Sequence, residues 1–238
     1  MPFRHAGNPQ TSSDAKTDPS PTLQVLDLGS GHGGGTHAIV QKFGCHVSGI
    51  NLGPQQNEMN LERCKELGIA DKVDVRVGNI NDGLPEEWES SFDYVFSCEV
   101  LCHAAVKEDV FKEIYRVLKP GGVLVFTDIM GSDEASEEAL RPFTDRNATT
   151  YMGRPSKYIQ AIKGAGLKHL CFWDQSEHLE TFFRGMYKQT VDNKGTMLKA
   201  GLTEKYLQSW EKSLSERAEI QSKESVFAWG VFVAKKMA

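Results

Sequence analysis

Nine residues, Asp27-Leu28-Gly29-Ser30-Gly31-His32-Gly33-Gly34-Gly35, constrain the fold more than any other stretch of this chain. They follow a short apolar run over 23–28 and precede a helix-patterned segment that reaches about residue 43. Glycine lacks a Cβ, so it lets the backbone turn sharply and come close to a ligand where another side chain would stand in the way. A strand, a glycine loop and a helix in that order begin a βαβ unit, and such units build parallel sheets. Gly29, Gly31 and Gly34 also fit the G-x-G-x-x-G spacing of dinucleotide-binding loops. A plain tight turn is the alternative reading.

The alternation continues along the chain. Apolar runs over 45–50, 73–77, 92–97 and 123–127 read as strands, and the segments 55–67 and 106–118 read as helices. After a polar stretch over 131–155 come a helix at 156–165 and a strand at 167–173. Helical segments at about 179–191 and 203–217 follow, with a closing strand at about 226–234. This pattern gives one α/β domain over 23–238, with inserted material at about 131–224 packed over one rim. Residues 1–22 are polar and proline-bearing, without an apolar core, and are expected to be a mobile tail rather than a secretory signal.

Composition removes several function classes. Lys and Arg number 27 against 32 Asp and Glu, a net charge of −5, which speaks against a basic nucleic-acid-binding face. The 39% hydrophobic content is too high for a disordered chain, and the longest apolar run is too short for membrane insertion. Five cysteines, an odd number mostly in apolar segments, read as reduced, buried thiols of a cytoplasmic protein. Cys98 and Cys102 lack partner ligands at metal-binding spacing, and no metal is expected.

Three features distinguish among nucleotide ligands. Asp27 stands two residues before the first glycine, where dinucleotide folds usually keep an apolar residue. Asn51 ends the next strand at the distance where a ribose-binding side chain belongs, and Leu118-Lys119-Pro120-Gly121-Gly122 turns the chain into the fifth strand. Together these resemble the class I S-adenosylmethionine-dependent methyltransferases. The resemblance implies a doubly wound, mostly parallel seven-stranded sheet of Rossmann-like form with a C-terminal helical cap insertion, and S-adenosyl-L-methionine as cofactor. It also implies that Gly29, Gly31 and Gly33 line the methionine moiety while Asp27 orients the loop and the cofactor's amino group. Asn51, with Leu52 and Gln56, would serve the ribose, where most of the family has Asp or Glu. Asn79 and Ile80 would hold the adenine, and Ser97 and Glu99 would face the sulfonium and the substrate.

Within that family, several segments resemble the glycine-betaine-forming N-methyltransferases that act on sarcosine and dimethylglycine. They are Ile50-Asn51-Leu52 with Gln56, Asn57 and Asn60, then Phe126-Thr127-Asp128-Ile129-Met130, Asp145-Arg146, Met152-Gly153, Tyr158 and Ala228-Trp229-Gly230. Two departures stand beside them. Residues 98–104 and 113–118 look more like the sterol C-methyltransferases, and only about 22 residues precede the first strand, where the betaine branch has a long cofactor-capping helical segment.

A small ammonium substrate suits aromatic faces and a nearby carboxylate, and its own carboxylate suits an arginine. Glu99, at the end of a buried strand, would meet the amine, and His103 would take its proton. Met130, Arg146, Tyr151, Arg154, Tyr158 and Tyr187 are the candidate substrate-binding residues; His32, His37 and Arg184 read as structural or surface residues. The expected partner is a small-molecule methyl acceptor, with a homodimer as the expected assembly. A bulkier apolar acceptor and a non-catalytic partner protein of the same fold remain open, while an NAD-dependent oxidoreductase is disfavoured by Asp27 and the 118–122 turn.

Overall fold

Short β-branched and aliphatic runs form the central strands, which are covered on both sides, while the edge strands Val73–Val77 and Lys168–Asp174 carry polar residues. The computed structural model describes residues 22–147 and 151–238, so the expected tail lies outside the described residues but for its last position. Seven strands form one sheet: β1 (Gln24–Leu28), β2 (His46–Asn51), β3 (Val73–Val77), β4 (Phe92–Cys98), β5 (Leu118–Gly131), β6 (Lys168–Asp174) and β7 (Phe227–Lys235). Their order is β3-β2-β1-β4-β5-β7-β6. β1 to β5 run parallel, and β7 lies antiparallel between β5 and β6. The order reverses between β1 and β4, and a crevice opens beyond the carboxyl ends of the strands at such a switch point.

Helices α1 (Gly34–Phe43), α2 (Pro54–Glu66), α3 (Lys107–Val117) and α5 (Pro155–Gly164) alternate with the strands. One core joins the sheet to α3 and α5 through Leu26, Val95, Phe111, Ile114, Phe126 and Ile162. At its centre Phe126 stacks on Phe232 with centroids 4.7 Å apart, and Tyr158 meets both rings edge-on at 5.8 Å.

A second core lies under the inserted helices α4 (Glu137–Asn147), α6 (Leu179–Asp192) and α8 (Glu204–Glu224), built from Leu140, Phe143, Leu179, Phe183, Leu214 and Phe227, while α7 (Lys194–Lys199) buries no side chain. The stretch 131–155, read from sequence only as a polar stretch, contains α4. That helix buries Leu140 and Phe143 and carries Pro142 in its interior, a residue that argues against a helix when only the sequence is read. α8 extends to Glu224, seven residues past its expected end, and Thr203 Oγ1 caps its start by accepting from the Tyr206 N–H at 3.2 Å.

The cysteines correct one expectation. Cys45, Cys64 and Cys102 are buried, but Cys98 and Cys171 are exposed because they occupy outward positions on β4 and on the edge strand β6. Among the described residues no helix is long and apolar enough to cross a membrane. Those residues hold no group of three or more His, Cys, Asp or Glu side chains suited to a metal ion.

Candidate functional site

The glycine loop joins β1 to α1 with Gly29, Gly31 and Gly33 all at positive φ, at 78°, 52° and 86°. L-residues resist that region, so the loop's shape itself requires glycine. The three glycines do different work. A Cβ on Gly29 would strike Val100 at 2.4 Å, and one on Gly33 would lie 2.1 Å from Asn60 Oδ1. A Cβ on Gly31 would project into space whose nearest atom, Gly29 O, is 4.0 Å away. Close packing explains Gly29 and Gly33; Gly31 instead leaves a cradle open.

Asp27 is buried, and its Oδ2 accepts from Thr36 Oγ1 at 2.6 Å, which ties the end of β1 to the first turns of α1. Burial raises its carboxyl to about pKa 6, with the Thr36 hydrogen bonds opposing. Behind the loop, His37 Nε2 pairs with Asn60 Oδ1 at 2.8 Å, a structural role. Ser30 Oγ, Asn57 Nδ2 and Asn60 Nδ2 are buried without partners in the same region.

Asn51, at the end of β2, donates through Nδ2 to Gly53 O, Gln56 Oε1 and Asn57 Oδ1 at 3.3, 3.1 and 3.0 Å. With its N–H groups committed, the amide presents Oδ1 as an acceptor, the property a ribose hydroxyl needs and a carboxylate elsewhere supplies. Gln56 thus positions Asn51. Leu52 next to it is largely exposed. Asn79 spends Oδ1 on the Asn81 N–H and side chain, each at 3.0 Å, and half-buried Ile80 packs against the first core. The loop, the Asn51 amide and the unpartnered polar atoms fit a nucleoside-bearing amino acid such as S-adenosylmethionine.

Beyond β4, Glu99 adopts φ 58°, a left-handed conformation costly for a residue with a Cβ and common at functional sites. Its Oε1 accepts from Thr127 Oγ1 at 2.8 Å and from the Trp229 indole N–H at 2.7 Å. Its Oε2 is buried with no partner. His103 is exposed on the following turn, Leu101–His103, where partial burial and the Lys107 ammonium hold its imidazole below the ordinary range. Asp128, on the core side of β5, is fully buried and receives the Tyr158 hydroxyl at 2.5 Å, with Oδ1 unpartnered. Burial drives its carboxyl up to about 8.

Other expected residues stand elsewhere. Ser97 is buried and spends its hydroxyl on Leu28 O at 3.0 Å, holding β1 to β4 instead of facing a sulfonium. Met130 is wholly buried in the first core. Arg146, expected to hold a substrate carboxylate, lies over the rings of Tyr206 and Trp210, 4.5 and 5.1 Å from their centroids, because α8 supplies aromatic partners to α4. Arg154 is consumed by Ala135 O at 2.8 Å, the Ser132 carbonyl and Glu137 at 2.7 Å. Tyr187 sits half-exposed on α6, Tyr151 is exposed near the start of α5, and Tyr158 is an inner wall rather than a contact surface. The roles of Thr36, Thr127 and Trp229 as partners of acidic site residues were not read from sequence; each depends on strands or helices that meet only in the fold.

Comparison with known proteins follows the same lines. A methyltransferase domain model matches residues 26–126. The chain is 30% identical over 208 residues to the sarcosine/dimethylglycine N-methyltransferase of Aphanothece halophytica, covering 87% of this chain and 74% of that protein. The chain belongs to the S-adenosylmethionine-dependent methyltransferases. A second relative, the glycine/sarcosine/dimethylglycine N-methyltransferase of Actinopolyspora halophila, is 32% identical across 92% of this chain, which spans 38% of that longer protein. A solved structure from Galdieria sulphuraria, itself provisionally assigned as a sarcosine dimethylglycine methyltransferase, superposes with a TM-score of 0.82 at 27% identity. The match covers 91% of this methyltransferase and 79% of that chain.

Proposed function

We propose that this methyltransferase methylates the nitrogen of a small amine such as sarcosine or dimethylglycine, ending at glycine betaine. The observation that carries the reading is Glu99: one oxygen is fixed by Thr127 and Trp229, and the other is buried without a partner. A buried acceptor left empty costs free energy that a bound ammonium or amine N–H recovers. The Trp229 ring beside it offers the aromatic surface that methylated ammonium groups favour. The betaine-forming relatives support the same substrate class.

S-adenosylmethionine, when bound, supplies an electrophilic methyl group. The nitrogen that receives it must present a lone pair, so an ammonium has to lose a proton first. His103, whose imidazole is held below its ordinary range by burial and Lys107, is the base we assign to accept that proton. Glu99 attracts the ammonium form and steadies the positive charge that returns to the nitrogen as it is methylated, and proximity of acceptor and donor supplies roughly 7–11 kcal/mol of a barrier.

The test is transfer of a trideuterated methyl group, read by mass spectrometry, to a panel of sarcosine, dimethylglycine, phosphoethanolamine and an apolar sterol. Labelled dimethylglycine and betaine are expected, and Glu99→Gln should lower kcat/KM for dimethylglycine by about a hundredfold, ~2.7 kcal/mol. Label on the sterol or phosphoethanolamine alone overturns the acceptor assignment.

A further inference from the structure

Dimethylglycine carries a carboxylate as well as a nitrogen, and the arginines expected to hold it are already engaged. Another cation remains. Lys107, the first residue of α3, is only 4% exposed, and no Asp or Glu among the described residues lies within ion-pair distance of it. Its ammonium donates to Ala104 O at 2.9 Å and weakly to Cys102 O at 3.4 Å. Its remaining face lies 4.4 Å from the centre of the Tyr151 ring. Two carbonyls and a ring solvate a buried cation less well than a carboxylate would.

Lys107 also lines a cavity of about 310 Å³ that it shares with Tyr151, Met152, Arg154 and Tyr158. The other charges at this cavity offset one another: Glu137 is paired with Arg154 at 2.7 Å, while Glu108 and Lys157 are both exposed. The buried ammonium is thus the cavity's cation without a direct ion pair, since Asp128 and Glu108 act on it only at longer range. The cavity adjoins the site already described. Its inner wall, Tyr158, donates to Asp128, and Asp128 lies within electrostatic reach of both Glu99 and Lys107. The Cys102 carbonyl that Lys107 holds belongs to the same turn as His103.

Resting on the acceptor class proposed above, we infer that Lys107, with Tyr151 beside it, binds the anionic end of the methyl acceptor, so that the site selects amines bearing a carboxylate. Glu99 and Lys107 then recognise the two ends of one zwitterion. A carboxylate in this cavity takes the N–H that now faces the Tyr151 ring and completes the ion pair.

The experiment compares dimethylglycine with dimethylethanolamine, which replaces the carboxylate by a hydroxymethyl group, in wild type, Lys107→Met, Lys107→Gln and Lys107→Arg. Lys107→Gln keeps N–H donors for the two carbonyls, and S-adenosylhomocysteine binding reports that each variant is folded. Wild type should prefer dimethylglycine in kcat/KM. Both neutral variants should lose about tenfold or more of that preference through a raised KM for dimethylglycine, and Lys107→Arg should restore part of it. A preference unchanged in folded Lys107→Gln overturns the assignment to Lys107 and leaves the acceptor class standing. Wild-type turnover of neither amine overturns the acceptor class, and this inference with it.

Discussion

At the residue scale, Gly31 and Gly33 share a left-handed backbone but make opposite predictions. Gly33→Ala forces a Cβ onto Asn60 Oδ1 and disturbs its pairing with His37, so it should cost about 2–3 kcal/mol of stability. Gly31→Ala meets no protein atom and should cost only about 1 kcal/mol from backbone strain. It should nevertheless weaken S-adenosylhomocysteine binding more than tenfold, ~1.4 kcal/mol, because the Cβ enters the open cradle. Denaturant melts and calorimetry on the two variants separate these effects. Glycine spacing revealed the cradle in the sequence, whereas Lys107 could not be found there. A lysine at the start of a helix reads as a surface residue until the chain near Tyr151 covers it.

Asp128 gives a pH prediction of definite sign. Its carboxyl lies at about 8 in the folded chain against an ordinary value of 3.8, because complete burial disfavours the charge more than the Tyr158 hydrogen bond favours it. Such a group contributes stability that is fully present below pH about 4 and is lost as pH rises through 8. Asp128→Asn removes that loss. The variant's melting temperature relative to wild type should climb between pH 5 and pH 8 and level off above, as followed by circular dichroism. A difference independent of pH would mean that Asp128 stays ionised in the fold.

At the element scale, α4 and α8 are joined by two arginines, of which the sequence offered only Arg146 as a ligand-binding group. Arg217 is buried, donates to Pro142 O through Nε and Nη2 at 3.2 Å, and lies 4.6 Å from the Phe143 ring centre. Burial and the nearby Arg146 lower it to about 10. Arg217→Met should destabilise the protein by about 2 kcal/mol, some 4–8 °C in melting temperature. The loss is expected in the second core while cofactor binding survives. The strands and α1 to α3 were legible because short apolar runs alternate with segments bounded by glycine and proline turns. α4 was not, since Pro142 lies in its interior, where a proline argues against a helix in the sequence. Arg146 was misread for a related reason: its aromatic partners, Tyr206 and Trp210, come from a distant segment.

At the scale of the whole molecule, the fold followed from alternation and a glycine loop, and family membership followed from Asp27, Asn51 and the 118–122 turn. The acceptor end was only half legible. Glu99 could be read because a carboxylate ending a buried strand needs a partner, but which oxygen is free depends on Thr127 and Trp229 arriving from β5 and β7. A site formed by three strands of an α/β sheet takes its chemistry from tertiary placement, which local sequence records only in part.

The account therefore rests most directly on one calorimetric measurement. The protein is titrated first with S-adenosylhomocysteine, and the resulting complex is then titrated with dimethylglycine. We expect a 1:1 cofactor complex that binds dimethylglycine, with the second signal abolished in Glu99→Gln and the first retained. Dimethylglycine binding that is absent, or unchanged when Glu99 is replaced, would contradict the assignment of this site to a small ammonium acceptor.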